Sequence, residues 1–189
     1  MRARTCFGLM AVPALLAASA APLSFESGSR VWVSGTSTTR SWRCESTQVT
    51  GSVRASTVAV GELRSVPGAE LTIPVATLDC RNGTMNSHMR NALKAAENPQ
   101  IRLRATSIQV TPSGDAAGAA RINGELTIAG STRPVSIDGT VQSENGQLRV
   151  RGSRQLDMTE YGMRPPSLMM GTMKVRPAVT VGFDVVLKP

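Results

Sequence analysis

The sequence predicts an all-β protein, a single antiparallel β-barrel of about eight strands with one short helix near an end. One observation is the alternation of apolar and polar residues in many segments, for example residues 126–128 and 135–137. A strand that is buried on one face requires this pattern. A second is the set of turn-forming sequences between the segments, among which Asn145-Gly146 is the strongest hairpin signal because both residues tolerate positive φ. A third is that one segment alone has helical periodicity.

The candidate strands are rich in β-branched residues or alternate in polarity, and turn signals bound them. In the predicted strand at residues 147–158, we expect Leu148 and Val150 to face the interior and Arg149 and Arg151 to face solvent. The predicted strands cover residues 30–35, 41–51, 57–63, 70–74, 100–111, 117–128, 133–141, 147–158 and 179–187.

Residues 86–98 are predicted to form the helix. Asn86 is suited to its N-cap and Asn98 to a left-handed residue at its end, and Pro99 cannot continue it. The residues that recur at spacings of three and four, and so share one helical face, are Met85, Met89, Leu93 and Ala96.

The N-terminus has the features of a secretory signal peptide. Arg2 and Arg4 precede an apolar run at residues 7–18, and small residues follow up to Ala20. The run is shorter than the roughly 20 apolar residues that span a bilayer, and a retained signal anchor is the alternative. We expect cleavage after Ala20, a periplasmic or secreted protein, and no stable membrane span.

Cleavage divides the chain into three parts. Residues 1–20 are the signal peptide, residues 21–29 a short lead-in and residues 30–189 the barrel domain. The mature chain of about 170 residues is the size of one domain with one core.

Export leaves Cys44 and Cys80 in the mature chain. In an oxidising compartment a lone pair of cysteines is most simply a disulfide, with two buried thiols as the alternative. The bridge would close a loop of about 37 residues, worth roughly 3–4 kcal/mol in the chain-entropy treatment. We expect no metal and no cofactor, because His88 is the one histidine and there is no C-x-x-C pair.

The last third of the chain carries a family resemblance. Its motifs are residues 152–156 (GSRQL), 158–163 (MTEYGM), 165–169 (PPSLM) and 171–175 (GTMKV). In this order and spacing they resemble the YceI-like family of bacterial lipid-binding proteins, and the resemblance extends over residues 30–187. It implies a lipocalin-like barrel whose cavity takes isoprenoid chains, in some relatives a polyprenyl quinone or a related amide.

The barrel lumen is the predicted binding site, since an eight-stranded barrel can hold one small apolar ligand. We expect small inward residues (Gly124, Gly139, Gly152 and Ala105) to leave room for a tunnel. Candidate groups for orienting a ligand head are Ser153, Arg154 and Tyr161. The predicted ligand-lining residues are Ile101, Leu103, Leu126, Ile128, Val135, Ile137, Val150, Met158, Met169, Met170, Val181 and Phe183.

The predicted function is non-catalytic binding of an isoprenoid or another long-chain amphiphile, for storage or transport in the periplasm. Enzymatic activity is not expected, because no nucleophile elbow, phosphate-binding loop or HExxH motif is present. Aromatic residues make up 3% of the chain, which argues against a nucleic-acid partner; a homodimer is left open. The alternatives are a ligand-free structural or stress-related barrel, and a copper carrier that uses Met158, Met169, Met170 and Met173.

Overall fold

The computed structural model describes residues 22–55, 57–168 and 173–189. The predicted signal peptide, residues 1–20, lies outside the described residues, as do Met169 and Met170. These three ranges are the described residues of the chain.

The described chain is mostly β-strand. One α-helix, α1, covers Gly83–Ala92, and 3-10 turns cover Val60–Glu62, Val75–Thr77 and Met158–Tyr161. The strands are β1 Leu23–Phe25, β2 Arg30–Ser37, β3 Ser41–Ser46, β4 Thr50–Val53, β5 Ser65–Val66, β6 Ala69–Pro74, β7 Gln100–Pro112, β8 Ala117–Ile128, β9 Ser131–Glu144, β10 Gln147–Asp157, β11 Ser167–Leu168 and β12 Met173–Lys188.

Eight strands form a closed antiparallel barrel, which confirms the predicted fold class. The wall runs β1-β4-β6-β7-β8-β9-β10-β12 and closes where β1 pairs with β12. In that junction Phe25 lies opposite Leu187 and Ser24 opposite Lys188. The closing strand lies within residues 21–29, so this lead-in contributes a strand that the sequence did not predict.

The β2–β3 hairpin continues the sheet beside the first part of β12. An isolated bridge then joins β3 to the chain before α1, since Glu45 and Asp79 exchange main-chain N–H···O bonds of 2.9 and 2.8 Å. The predicted disulfide between Cys44 and Cys80 is present directly beside this bridge. It therefore ties β3 to the segment that leads into the helix.

The wall alternates as its sequence predicts. Leu148 is 2% exposed and lies on the same face as Val150, which lines the interior. Arg149 and Arg151 point outward, where their guanidinium groups lie 2.6 and 3.4 Å from Asp184. The prediction for this strand is confirmed.

The predicted strand at residues 57–63 was wrong. Val60–Glu62 forms a 3-10 turn instead, in which Gly61 donates to the main-chain oxygen of Asp115 at 3.0 Å. Val60 and Leu63 are 0% and 3% exposed, because residues three apart share a face of a 3-10 turn. The segment plugs one end of the barrel with these two side chains.

The helix begins and ends earlier than predicted. Its N-cap is Asn82, whose Oδ1 accepts the Met85 N–H at 3.0 Å. Asn86 lies inside the helix, where its Oδ1 accepts the Cys80 N–H at 2.7 Å and its amide donates to Asp79. The helix stops at Ala92 because Lys94, two residues further on, has a φ of 51°, in the left-handed region that ends helices.

A buried carboxylate on the outer wall holds three arginines. The Asp184 side chain is 5% exposed and accepts from Arg149 at 2.6 and 2.8 Å and from Arg30 at 3.2 Å. The hydrogen bonds from Arg149, together with the positive charge of Arg149 and Arg151, lower the pKa of Asp184 to about 2. Because β12 carries Asp184 while Arg149 and Arg30 belong to β10 and β2, the cluster links three strands.

The disulfide should contribute strongly to stability. We expect the double variant Cys44→Ala/Cys80→Ala to lose about 3–4 kcal/mol of unfolding free energy, because the unfolded chain regains the entropy of a closed loop. Urea unfolding of mature wild-type and variant protein measures this loss. A difference below about 1 kcal/mol would contradict the expectation, and thiol titration of denatured wild-type protein should find no free cysteine.

Asp184 should stabilise the fold in a pH-dependent way. Its folded-state pKa of about 2 lies below the unfolded value of about 3.9, so its contribution is complete above the unfolded pKa and is lost as pH falls toward 2. We expect Asp184→Asn to cost about 2 kcal/mol at pH 7, with the difference from wild type shrinking between pH 4 and 2. Denaturant unfolding across this range is the measurement.

The matched control is Asp138→Asn, which removes an exposed carboxylate paired with Arg121 at 2.8 Å. Exposed pairs contribute little, so this variant should follow the wild-type stability curve. An Asp184→Asn effect that stays constant down to pH 2 would show that packing, rather than charge, holds this residue in place.

Candidate functional site

The barrel interior contains three apolar chambers. The far chamber, of about 70 Å³, lies beside Val53 and Leu63, and the central chamber, of about 90 Å³, lies beside Ile73 and Ile128. The third, which we call the α1 chamber, has a volume of about 140 Å³ and lies beneath α1, with Met89 in its wall. The polar atoms of the protein contribute almost nothing to these surfaces.

The chambers follow one another along the barrel. Leu71, Leu103 and Phe183 line both the far and the central chamber, and Val33 lines both the central and the α1 chamber. Their side chains therefore form two constrictions in what is otherwise one elongated apolar lumen.

The α1 chamber is built by the helix and the β2–β3 hairpin together. The helix contributes Met85, Met89 and Leu93, which share one face as predicted; Ala96, the fourth predicted member, lies beyond the helix end and is exposed. The Cys44–Cys80 disulfide lies in the same wall, with the Cys80 sulfur 3.8 Å from the Met89 sulfur. The disulfide thus fixes the helix against the chamber that it covers.

Trp42 forms another part of this wall. Its indole packs on Gly35 so closely that a β-carbon at that position would meet the ring at 2.6 Å. Its Nε1 is buried and has no hydrogen-bond partner among the described residues. Buried donors without an acceptor are rare in proteins, so Trp42 is an unsatisfied polar group in an otherwise apolar lining.

Five methionines converge on the α1 chamber. Met158, Met163 and Met173 come from the methionine-rich segment that the sequence singles out, while Met85 and Met89 come from α1. The sequence alone could not join these two groups, because about 70 residues separate them and only the helix face at Met85 and Met89 hints at burial.

A polar cleft adjoins the α1 chamber. We call it the α1 cleft; it has a volume of about 490 Å³, and Lys94 and Arg164 lie in its lining. It shares His88, Ala92 and Pro166 with the chamber, so the two are contiguous. His88 is half-buried at this junction.

Most predicted lining residues face the lumen. Leu103, Val150 and Phe183 line the far chamber, and Met158 lines the α1 chamber. Val135 borders a separate groove in the wall. The predicted lining residues that line the central chamber are Ile101, Leu103, Leu126, Ile128, Ile137, Val181 and Phe183.

The small inward residues leave less room than expected. A β-carbon at Gly124 or Gly139 would collide with the main chain of Arg104 or Arg151 in the neighbouring strand, so these glycines permit close strand contact. At Gly152 a β-carbon would meet the Phe183 ring at 2.8 Å, because Phe183 fills the space. Among the small inward positions, Ala105 alone lines a chamber.

The predicted headgroup residues lie elsewhere. Pairing of β9 with β10 ends at Gly139 and Gly152, and beyond this point the strands enclose a groove of about 930 Å³ that includes Arg154 and Tyr161. Ser153 is exposed on the same strand. None of these three residues lines a lumen chamber, so the structure does not bring them together with the apolar site.

Tyr161 is a core residue of this corner. It is 2% exposed, and burial, reinforced by the negative charge of Glu160, raises the pKa of its hydroxyl. Gly162 follows with a φ of 68°, a left-handed conformation that glycine adopts without strain. The segment therefore acts as a packed turn.

The described part of the chain contains neither a cluster of metal-ligating side chains nor an apolar helix of membrane-spanning length. No group of three or more His, Cys, Asp and Glu side chains there is arranged to hold a metal ion. No helix among those residues is long and apolar enough to cross a membrane.

The fold and lumen define a single-domain antiparallel barrel of the kind that can enclose an apolar ligand. The family model described as YceI-like domain matches residues 25–187. The chain belongs to the YceI-like family, which confirms the resemblance drawn from its C-terminal motifs. Curated protein sequences include no significant match.

Solved structures with the same fold include three bacterial proteins. BcnA of Burkholderia cenocepacia has 18% identity and a TM-score of 0.69, over 86% of this chain and 98% of that chain. A polyisoprenoid binding domain from Saccharophagus degradans, implicated in plant cell wall breakdown, has 12% identity and a TM-score of 0.66, over 89% and 98%. The YCEI protein of Campylobacter jejuni has 12% identity and a TM-score of 0.57, over 74% and 80%. At these identities the similarity shows a shared fold.

Proposed function

We propose that the barrel binds a long-chain isoprenoid or a comparable amphiphile in its lumen, without catalysis, for storage or transport in the periplasm. The observation that carries this proposal is the series of three apolar chambers along one barrel. Burial of apolar surface contributes about 25 cal/mol per Å², so an extended chain that fills the series would bind mainly through its length. The relative from Saccharophagus degradans, described as polyisoprenoid binding, supports the same ligand class.

The ligand would have to open the constrictions. Each chamber, at about 70 to 140 Å³, is smaller than the ~300–1,000 Å³ typical of ligand pockets. The Phe183 ring beside Gly152 and the Val33 side chain are the obstacles, and both would have to move to join the chambers. Entry would occur at the α1 chamber, which adjoins the polar α1 cleft.

The proposed place of action is outside the cytoplasm. The predicted signal peptide and the Cys44–Cys80 disulfide both fit an oxidising compartment. Edman sequencing or intact mass of the protein from its host would show whether the mature chain begins at Ala21.

A copper carrier is the second candidate function. The observation in its favour is that five methionines line the α1 chamber beside His88, and thioethers are soft ligands suited to Cu(I). Of the four methionines first considered, Met158 and Met173 lie there, while Met169 and Met170 lie outside the described residues. A filled barrel without any ligand is the third reading, and the small chamber volumes favour it.

Native mass spectrometry of the protein purified from its own host separates the three readings. A co-purifying lipid that organic solvent extracts supports the proposed function. A copper adduct that survives desalting would support the carrier instead, and apoprotein alone would support the filled barrel.

Blocking the constriction at Val33, between the α1 chamber and the central chamber, should remove the ligand. We expect Val33→Phe to reduce co-purifying lipid at least about fivefold, because a chain that cannot pass Val33 loses its apolar contact with the two deeper chambers. The matched control is Thr36→Phe, which adds the same ring to an exposed position on the same strand. Quantitative lipid extraction and thermal unfolding of both variants are the measurements.

If Val33→Phe remains folded and retains lipid at the wild-type stoichiometry, the lumen below Val33 is not the binding site. A core side chain that is too large typically costs about 1–3 kcal/mol, so the unfolding data establish whether the variant is comparable with wild type.

Filling the far chamber should shorten the longest ligand that binds. Ala105 is 3% exposed and lines that chamber, so Ala105→Phe would occupy its volume and leave the other two open. We expect the variant to bind a C15 or C20 isoprenoid alcohol as wild type does, but to lose at least about fivefold in affinity for a C40 chain, which requires the buried length. Equal loss for short and long chains would contradict a ligand that extends from α1 to the far chamber.

A further inference from the structure

The entrance to the α1 chamber is surrounded by positive charge. Arg40 lies in the lining of the chamber, and Lys94 and Arg164 lie in the lining of the α1 cleft. Neither lining contains an aspartate or a glutamate among the described residues. The charges of these three side chains are therefore not compensated within the two cavities.

Two more basic residues extend this surface. Lys174 lies opposite Ser167, a residue of the cleft lining, and its main-chain oxygen accepts from Thr38 at 3.0 Å, beside the turn that carries Arg40. Arg90 is in the last turn of α1, four residues before Lys94. We call Arg40, Arg90, Lys94, Arg164 and Lys174 the basic rim.

The basic rim is exposed and unpaired. All five side chains are solvent-exposed, and none makes an ion pair or a side-chain hydrogen bond with another described residue. Other arginines of the wall have acidic partners: Arg149 and Arg30 contact Asp184, and Arg121 contacts Asp138. Glu97, the nearest acid after α1 along the chain, is exposed and lines neither cavity.

We propose that the basic rim docks the protein on the anionic surface of a phospholipid bilayer. The charge is complementary, and each Lys or Arg close to such a surface raises the partition of a protein several-fold. The rim also surrounds the entrance of the α1 chamber, which adjoins the protein surface through the α1 cleft. Docking in this orientation places that entrance against the lipid headgroups, which suits exchange of an apolar ligand with the bilayer.

Vesicle sedimentation tests the proposal with no knowledge of the ligand. Wild-type mature protein should bind vesicles of phosphatidylcholine with about 30% phosphatidylglycerol and not vesicles of phosphatidylcholine alone, and binding should fall as salt rises from about 0.05 to 0.5 M. The test variant is Arg40→Gln/Lys94→Gln/Arg164→Gln. Its matched control is Arg54→Gln/Arg64→Gln/Arg104→Gln, which removes the same net charge from exposed positions outside the rim.

We expect the rim variant to lose at least about tenfold in partition onto the anionic vesicles, and the control to stay within about threefold of wild type. Circular dichroism and thermal unfolding establish that both are folded. Equal losses in the two variants would overturn the proposal, because net charge alone would then explain binding. Failure of the wild-type protein to bind the anionic vesicles would overturn it as well.

A third outcome assigns the rim to the ligand. If the rim variant binds vesicles as wild type does, yet loses affinity for geranylgeranyl phosphate and not for geranylgeraniol, these cations hold an anionic ligand head and the docking proposal is wrong. Ligand binding by the lumen is judged separately by the Val33→Phe variant, so docking and the proposed function can fail independently.

Discussion

The barrel depends on the antiparallel pairing of β12, the strand at which the wall closes. This strand pairs with β10 along one edge and with β2 and then β1 along the other. Alternation along it sends Phe183 and Val185 to the interior and Asp184 to the outer wall, where three arginines surround the carboxylate. One strand therefore sets the closure of the wall, the constriction of the lumen and the ion cluster that joins its neighbours.

Much of this arrangement follows from the sequence, and the limits are physical. Long alternating strands such as β8 and β10 are predictable because one side of each is buried, and the pairing of two cysteines in a chain with a predicted signal peptide is equally direct. The 3-10 turn at Val60–Glu62 was missed because a short apolar run with two buried residues, Val60 and Leu63, fits a strand and a turn alike. The helix end was missed because nothing in the sequence marks Lys94, a non-glycine residue, as left-handed.

The site was harder to predict than the fold. The identity of inward residues on β7, β8 and β9 follows from period two: Ile101, Leu126 and Ile137 line the central chamber, whereas Val135 borders a groove in the wall. Whether inward residues leave empty space does not follow from the sequence, because Phe183 reaches across to Gly152 and two other glycines permit close contact between strands. The position of the headgroup candidates outside the chambers has a related reason: the separation of β9 from β10 beyond Gly139 is a property of pairing between strands, which no single segment encodes.

The Cys44–Cys80 bond and the Glu45–Asp79 bridge hold α1 over the widest chamber, yet the opposite face of the helix meets solvent. The lumen is thus closed at one end by the plug of Val60 and Leu63 and covered at the other by a tethered helix. A ligand that enters beside α1 has a single direction in which to advance, so chain length rather than headgroup shape would set selectivity inside the barrel.

The chain has two tryptophans, and their positions give them different spectroscopic roles. Trp32 has the Arg43 guanidinium 4.4 Å from its ring centre and borders the central chamber, whereas Trp42 is in the wall of the α1 chamber. A Trp32→Phe protein would emit from the α1 chamber alone, and a Trp42→Phe protein from the wall of the central chamber alone. The fluorescence of this barrel can therefore separate events beneath α1 from events deeper along the barrel without any added label.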